Sequence, residues 1–476
     1  MQDLHTFLAH LEEAGHLHRV AVETDPVLEI AAITDRVCKL PEGGTALLFE
    51  RVRGSRFPLA TNLFGSNRRV CAALGVNDLA ELAGRMEELL AAAPADDLLG
   101  LTASSPVLAP FAPRETAEAP CREVAEPVPD LERFPFLKVW SGDGAPGRSG
   151  RFLTLPLVIT RDPEGGRPNC GLYRVEVLDG HTAALHWRPG SGAAGHARQW
   201  AARGAPMPVA IALGGDPAAL FAALLPLPAG LDELQLAGWL RREPLAVSRC
   251  RTSDLQVPAT ADLVIEGFVA PGESVEAGAF GNHTGFYALA GKVPLLRVTA
   301  ISRRSVPIIP ATVVGRPPME DCWLARAAGR FLLPLIRRVV PGVVDLHLPF
   351  AGIFHGCALV AVAKSRPGQG REVLAGLWQG GWLGEGRLLV IVDRDVDLHN
   401  ADDLPWRVLN RVRWERDLVF GPVEDGGLVG GRLGVDATRK LPEELAGAAW
   451  PGEVRPDEAT VRLVAQRWRE YGLSEE

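Results

Sequence analysis

The stretch 167–200, RPNCGLYRVEVLDGHTAALHWRPGSGAAGHARQW, limits what this chain can fold into more than any other. Leu172 to Leu178 and Thr182 to Trp187 are β-rich runs joined by Asp179-Gly180. An Asp-Gly pair between such runs predicts a two-residue type I′ turn, because both central residues of that turn need φ > 0. The second run feeds Pro189-Gly190-Ser191-Gly192-Ala193-Ala194-Gly195, and a helix is expected from near His196 to near Gly204. Free backbone N–H groups in a glycine loop at a helix start attract anions such as phosphate. The alternative reading is a surface loop of small residues. Asn169 and Arg174 place two polar side chains at the start of this hairpin.

The remaining chain reads as three segments. Residues 1–115 predict an α/β unit. Leu4, Phe7, Leu8 and Leu11 fall at helical spacing, with Asp3 as cap and Gly15 as stop. A strand over 18–22, a helix after Pro26 and a helix over 80–93 follow, and the proline-rich 106–135 reads as a linker. Residues 116–310 turn to β. Strands are expected over 152–160, 208–213, 260–269 and 293–301, and many short strands with glycine turns suggest a barrel. Asp262 and Glu266 share a face of one such strand and read as a solvated edge. Residues 311–476 return to α/β, with a helix over 321–340 and buried strands over 357–364 and 388–392. Near the end Val461, Val464, Ala465 and Trp468 form one helical stripe, read first as core packing.

Composition bounds the function classes. With 476 residues the chain can hold two or three domains and a large core. The net charge of −8 comes with no basic stripe interleaved with aromatics, which argues against nucleic-acid binding. The opening MQDLHTFLAHLEEAGHLHRV lacks the basic and apolar regions of a signal peptide, and no apolar run reaches bilayer length. Seven scattered cysteines without CxxC spacing argue for reduced thiols, hence a cytoplasmic location, and against a disulfide framework or zinc site.

Asn169-Cys170-Gly171-Leu172-Tyr173-Arg174 resembles the Asn-x-Gly-x-Tyr-Arg motif of the UbiD family, reversible decarboxylases that use prenylated FMN. Four further stretches agree in order: Leu231-Asp232-Glu233 with Ala237-Gly238, Val257-Pro258-Ala259 running to Ile265-Glu266-Gly267, Phe280 to Tyr287, and Gly434 to Lys440. The resemblance implies a central split β-barrel between two α/β domains. It implies prenylated FMN or FMN, with Mn²⁺ or Mg²⁺ and a potassium ion at the phosphate. The implied partners are a carboxylic acid substrate, a flavin prenyltransferase as cofactor supplier, and further copies of this chain in a homodimer or larger oligomer. By position, Asn169 and Glu233 match metal ligands, whose oxygen donors suit a hard cation. From the residues alone Glu233 also reads as a helix cap. Arg174 matches the catalytic arginine, and a guanidinium can grip a carboxylate bidentately. Asn169, Arg174, Gly190, Ser191, Asn282, Arg387 and Lys440 are the implied cofactor contacts.

Three positions depart from the family pattern. A metal-binding histidine is replaced at Pro189-Gly190, and His186 and His196 nearby read as packing or surface residues. The catalytic glutamate falls at Ala277, and the acid position at Asn282, which cannot shuttle a proton. Glu276, one residue from the lost glutamate, and His283, which can titrate near neutral pH, are the candidate substitutes. Three readings therefore stand: a decarboxylase of an unsaturated or aromatic acid, a diverged flavin enzyme with another reaction, and a non-catalytic homologue.

Overall fold

The computed structural model describes residues 3–92, 105–166, 168–227, 231–288, 291–353, 356–379, 386–400, 402–421 and 431–473. The chain opens with helix Leu4–Glu13. Asp3 caps it by accepting from the Thr6 N–H at 2.8 Å, and Leu4, Phe7, Leu8 and Leu11 are its buried stripe. A four-stranded sheet follows in the order Leu17–Thr24, Ala46–Val52, Leu59–Thr61, Ile309–Pro310, so its last strand returns from far along the chain.

A ten-stranded curled sheet forms the centre. Its main path runs Phe152–Leu153, Val175–Val177, Thr182–Leu185, Lys292–Arg303, Ala261–Val269, Met207–Gly214, Leu157–Arg161, Pro168–Leu172. Pro168–Leu172 ends one side of this path and Val175–Val177 lies next to the other end, yet only Tyr173 and Arg174 separate them in sequence. Such a link spans at most roughly 10 Å. The sheet must therefore curl until its two ends nearly meet, which is a split barrel, and Tyr173-Arg174 is a corner of its mouth. Both faces of the sheet are covered. Along Met207–Gly214, Val209, Ile211 and Leu213 enter the barrel core, while Ala210 and Ala212 pack outward in the main core.

The third layer begins with the long helix Glu320–Val339. A mixed sheet follows in the order Val343–His347, Cys357–Val362, Leu388–Asp393, Leu433–Asp436, Leu418–Phe420. No helix among the described residues is long and apolar enough to cross a membrane. All seven cysteines are free, six of them buried.

Several expectations need correction. The hairpin exists, with Ala183 opposite Val177 and Leu185 opposite Val175, but its turn is not type I′. Neither Asp179 nor Gly180 has positive φ. Instead the Asp179 carboxylate accepts from the backbone N–H of His181 and of Thr182, both at 2.8 Å, and closes a wider loop. The helix after the glycine loop starts at Gly192, four residues early, because Ser191 caps it by accepting from the Ala194 N–H. Asp262 and Glu266 are not a solvated edge. Their strand lies between Met207–Gly214 and Lys292–Arg303, and both are buried. Glu266 accepts from the backbone N–H of Arg251 and Thr252, and Asp262 from Ile308 N–H and the His5 ring. The stripe on helix Glu458–Gln466 is not core packing, since no residue of that helix is buried in this chain.

Candidate active site at the mouth of the barrel

The corner opens onto a cavity of about 400 Å³, a volume ordinary for a small-molecule site. Leu172, Tyr173, Arg174, His186 and Arg188 form its strand wall. Phe280, Asn282 and His283 form an opposing loop wall, and the long helix closes it with Ala325, Gly329, Leu332 and Ile336. The guanidinium of Arg174 lies 4.7 Å from the centre of the Phe280 ring, and its Nε is buried without a hydrogen-bond partner. Burial pulls its pKa down, against the opposing charges of Asp143 and Glu176.

The loop wall is pinned from behind. Asp143 accepts from Gly281 N–H and Trp140 N–H at 2.8 Å each, and from Val139 N–H at 3.2 Å. Gly278 donates its N–H to Glu176 at 2.8 Å. A side chain at Gly278 has no room, because a Cβ there would stand 2.3 Å from the Gly144 carbonyl carbon. Ala277 is buried. Asn282 turns its Oδ1 to the Thr284 N–H at 2.8 Å and so braces the loop. His283 lines the cavity, half-buried. Glu276 does not join it: it is exposed on the strand Ser274–Glu276, opposite Lys292. Extended chain puts neighbouring residues on opposite faces, and no bulge here reverses Glu276.

Glu233 reaches the strand Pro168–Leu172 that carries Asn169. Glu233 accepts from the Cys170 N–H at 3.0 Å. Asp232, not Glu233, caps helix Glu233–Arg241, accepting from Leu234 and Gln235 N–H. The Glu233 carboxylate is thus free of the capping role and reaches across to the strand; burial pushes its pKa up to about 7. Asn169 Oδ1 lies against Gly192, where a Cβ would stand 2.0 Å away, and its Nδ2 is buried without a partner. Ser191 and the first turn of helix Gly192–Ala202 therefore sit beside Asn169, with Gly190 in open space. Among the described residues no three His, Cys, Asp or Glu side chains cluster as a metal site.

Other implied contacts lie apart. Lys440 is buried in the C-terminal layer, where its Nζ donates to the Asp436 and Thr438 carbonyls and pairs with Asp436 at 3.1 Å and Asp417 at 3.5 Å. Arg387 is exposed just before strand Leu388–Asp393. Neither lines the cavity. His196 is structural, its Nδ1 2.9 Å from the Thr160 hydroxyl. His186 is not a surface residue: its side chain is 6% exposed and forms part of the cavity wall. Glu176, fully buried behind it, was not singled out from sequence. The alternation that places Glu176 on the face of Arg174 was the available signal.

Three family descriptions match in order: the N-terminal, Rift-related and C-terminal domains of 3-octaprenyl-4-hydroxybenzoate carboxy-lyase, over residues 8–88, 113–317 and 322–437. A protein of Archaeoglobus fulgidus is 40% identical over 98% of each chain, and one of Aquifex aeolicus 37% identical over 99% of each. The chain belongs to the UbiD family. Its fold follows that of UbiD-class structures. HmfF from Pelotomaculum thermopropionicum, solved in complex with FMN, is 27% identical with a TM-score of 0.79, covering 97% of this chain and 99% of that one. An evolved dimeric form of HmfF in complex with prFMN gives 0.78 at 26% identity, covering 97% and 98%. Vanillic acid decarboxylase of Sedimentibacter hydroxybenzoicus gives a TM-score of 0.86 at 22% identity, over 100% and 99%, a likeness of fold.

Proposed function

We propose that this UbiD-family protein is a non-oxidative decarboxylase of an unsaturated or aromatic carboxylic acid, working with prenylated FMN. Arg174 carries the reading. A guanidinium with an unpartnered buried Nε, set at the mouth of a cavity that the long helix closes with apolar side chains, is a grip waiting for an anion. A carboxylate fits that grip bidentately, and the aliphatic and aromatic lining suits the unsaturated body of the acid.

The residues present fit a flavin phosphate and a hard cation in part. Asn169 and Glu233 offer two oxygen donors, and the unpartnered Asn169 Nδ2 and the Ser191–Gly192 helix start offer N–H groups to phosphate. With Gly190 where the resemblance implies a histidine, a third protein ligand is missing, so Asn169 and Glu233 would hold Mn²⁺ only weakly. The bound cofactor would supply the electron sink that no side chain provides. Arg174 then orients the acid, and the apolar wall keeps water from the reacting carbon.

The different-reaction reading has one observation in its favour: Ala277 is buried and Asn282 is spent on Thr284, so the loop wall has lost both family acids. Co-expression with a flavin prenyltransferase decides. The mass and absorbance of the released ligand, with CO₂ release from a panel of cinnamic and hydroxybenzoic acids, should show prenylated FMN and turnover. Bound flavin with silence across the panel contradicts the decarboxylase, and no flavin under any condition favours a non-catalytic homologue.

A further inference from the structure

We propose that His186 is the proton-transferring residue of this site and that Glu176 is the positioning residue that holds and charges its ring; the inference rests on the decarboxylase reading above. Three polar side chains share one face of the hairpin. Arg174 sits at the corner just before strand Val175–Val177, two residues from Glu176; Ala184 pairs with Glu176 and Leu185 with Val175, which brings His186, just past its strand, across from Arg174. The His186 backbone N–H donates to the Arg174 carbonyl at 3.2 Å. Neighbours Val175, Val177, Ala183 and Leu185 fill the barrel core on the other face.

Glu176 is fully buried, yet only one of its oxygens is hydrogen-bonded, to Gly278 N–H. The other, Oε1, has no hydrogen-bond partner and lies 3.6 Å from the Arg148 guanidinium. His186 Nε2 is also buried without a hydrogen-bond partner and stands 3.7 Å from Glu176 Oε2, an electrostatic contact one small shift from a hydrogen bond. Burying a carboxylate and an imidazole this incompletely satisfied costs stability, and such groups cluster where function holds them. The ring leans on Phe152, 5.9 Å between centres, and lines the cavity.

The charges around the ring supply a trigger. Glu176 and Arg174 face it from the paired strand; Arg148 stands behind Glu176, and Arg188 and His283 share the cavity. Burial and then the Arg174 charge hold the His186 pKa below its usual value, while Glu176 opposes them. A substrate carboxylate settling on Arg174 cancels that charge, so the ring takes up a proton as substrate binds. When the C–CO₂ bond breaks, its electron pair stays with the substrate carbon. The imidazolium gives its proton to that carbon, a C–H bond forms, and the neutral ring is recharged from water. Nothing is oxidised or reduced overall.

The test begins with cofactor-free, full-length protein carrying ring-labelled histidine, its His186 signal assigned by its loss in His186→Asn. NMR titration should give a His186 pKa below the usual ~6.5, raised by about half a unit or more on adding benzoate. Glu176→Gln should lower it further; if that variant does not fold, Glu176→Asp, which draws the charge back by one methylene, replaces it. A His186 titration indifferent to Glu176 replacement, or to bound benzoate, overturns the proposal. In cofactor-loaded protein His186→Asn should slow CO₂ release by about two to four orders of magnitude. Wild type that releases CO₂ no faster than His186→Asn sinks the proton role and leaves the decarboxylase standing. A coupled His186 titration with a silent loaded wild type supports the pair and removes the decarboxylase instead.

Discussion

The two walls of the cavity are built differently. The strand wall brings Arg174, Glu176 and His186 together on a hairpin whose other face is barrel core, so its groups are held by packing. The loop wall, Ala277 to His283, is held by its backbone: Asp143 and Glu176 accept its N–H groups, and Asn282 is turned on Thr284. The resemblance in sequence implies two acids on that loop, at the positions of Ala277 and Asn282. Here the loop keeps its shape without them, while the strand wall carries the buried charge. A loop can thus hold its shape through backbone hydrogen bonds alone, while the buried titratable groups stand on the wall beside it.

The largest effect should come from the strand wall. Arg174→Ala should cut CO₂ release by roughly three orders of magnitude while the thermal midpoint moves by less than about 4 °C, because the guanidinium lies over the Phe280 ring and its buried Nε has no hydrogen bond to lose. A large fall in melting temperature would make Arg174 structural and erase the contrast. Next, Gly278→Ala should displace the loop, since its Cβ would meet the Gly144 backbone at 2.3 Å. Expected outcomes are a weakened benzoate affinity and a lowered midpoint, read by calorimetry. Asn282→Asp should change turnover less than tenfold, well short of the two to four orders a working acid contributes, because its carboxylate would stay on Thr284. A larger gain would return the chemistry to the loop.

The long helix behind both walls is a control. Asp321 has both carboxylate oxygens buried without a hydrogen-bond partner, and burial pushes its pKa up to about 7. The folded protein then keeps a proton that the unfolded chain releases above the ordinary aspartate value of 3.8. Stability should therefore fall as pH rises across that window, by roughly a few kcal/mol, and level off above it. Asp321→Asn should flatten this part of the pH–stability curve in denaturant titrations and leave turnover unchanged. A turnover change would tie the helix to the chemistry.

How far the sequence could be read follows from the range of each interaction. Helix Leu4–Glu13 was legible to its cap because Asp3 and its apolar stripe act within a few residues. The hairpin was legible and its turn was not, since the Asp179 side chain chose a wider loop. Asp262 and Glu266 looked solvated because nothing local says that their strand has neighbours on both sides. The stripe of Val461 failed in the opposite sense: amphipathic spacing does not name what covers it. In the site, Asn169, Arg174, Glu233, Asn282 and His283 were found through motifs. Glu176 and His186 fall in no motif quoted above. A histidine on a strand gives no sign of which face meets a cavity, so the sequence alone leaves His186 a packing or surface residue.

The most direct test sets the walls against each other in one experiment: CO₂ release by cofactor-loaded His186→Asn and His283→Asn, prepared and assayed together with wild type. The account predicts a loss of about two to four orders of magnitude for His186→Asn and less than tenfold for His283→Asn. The reverse ranking would put the proton donor on the loop and contradict it.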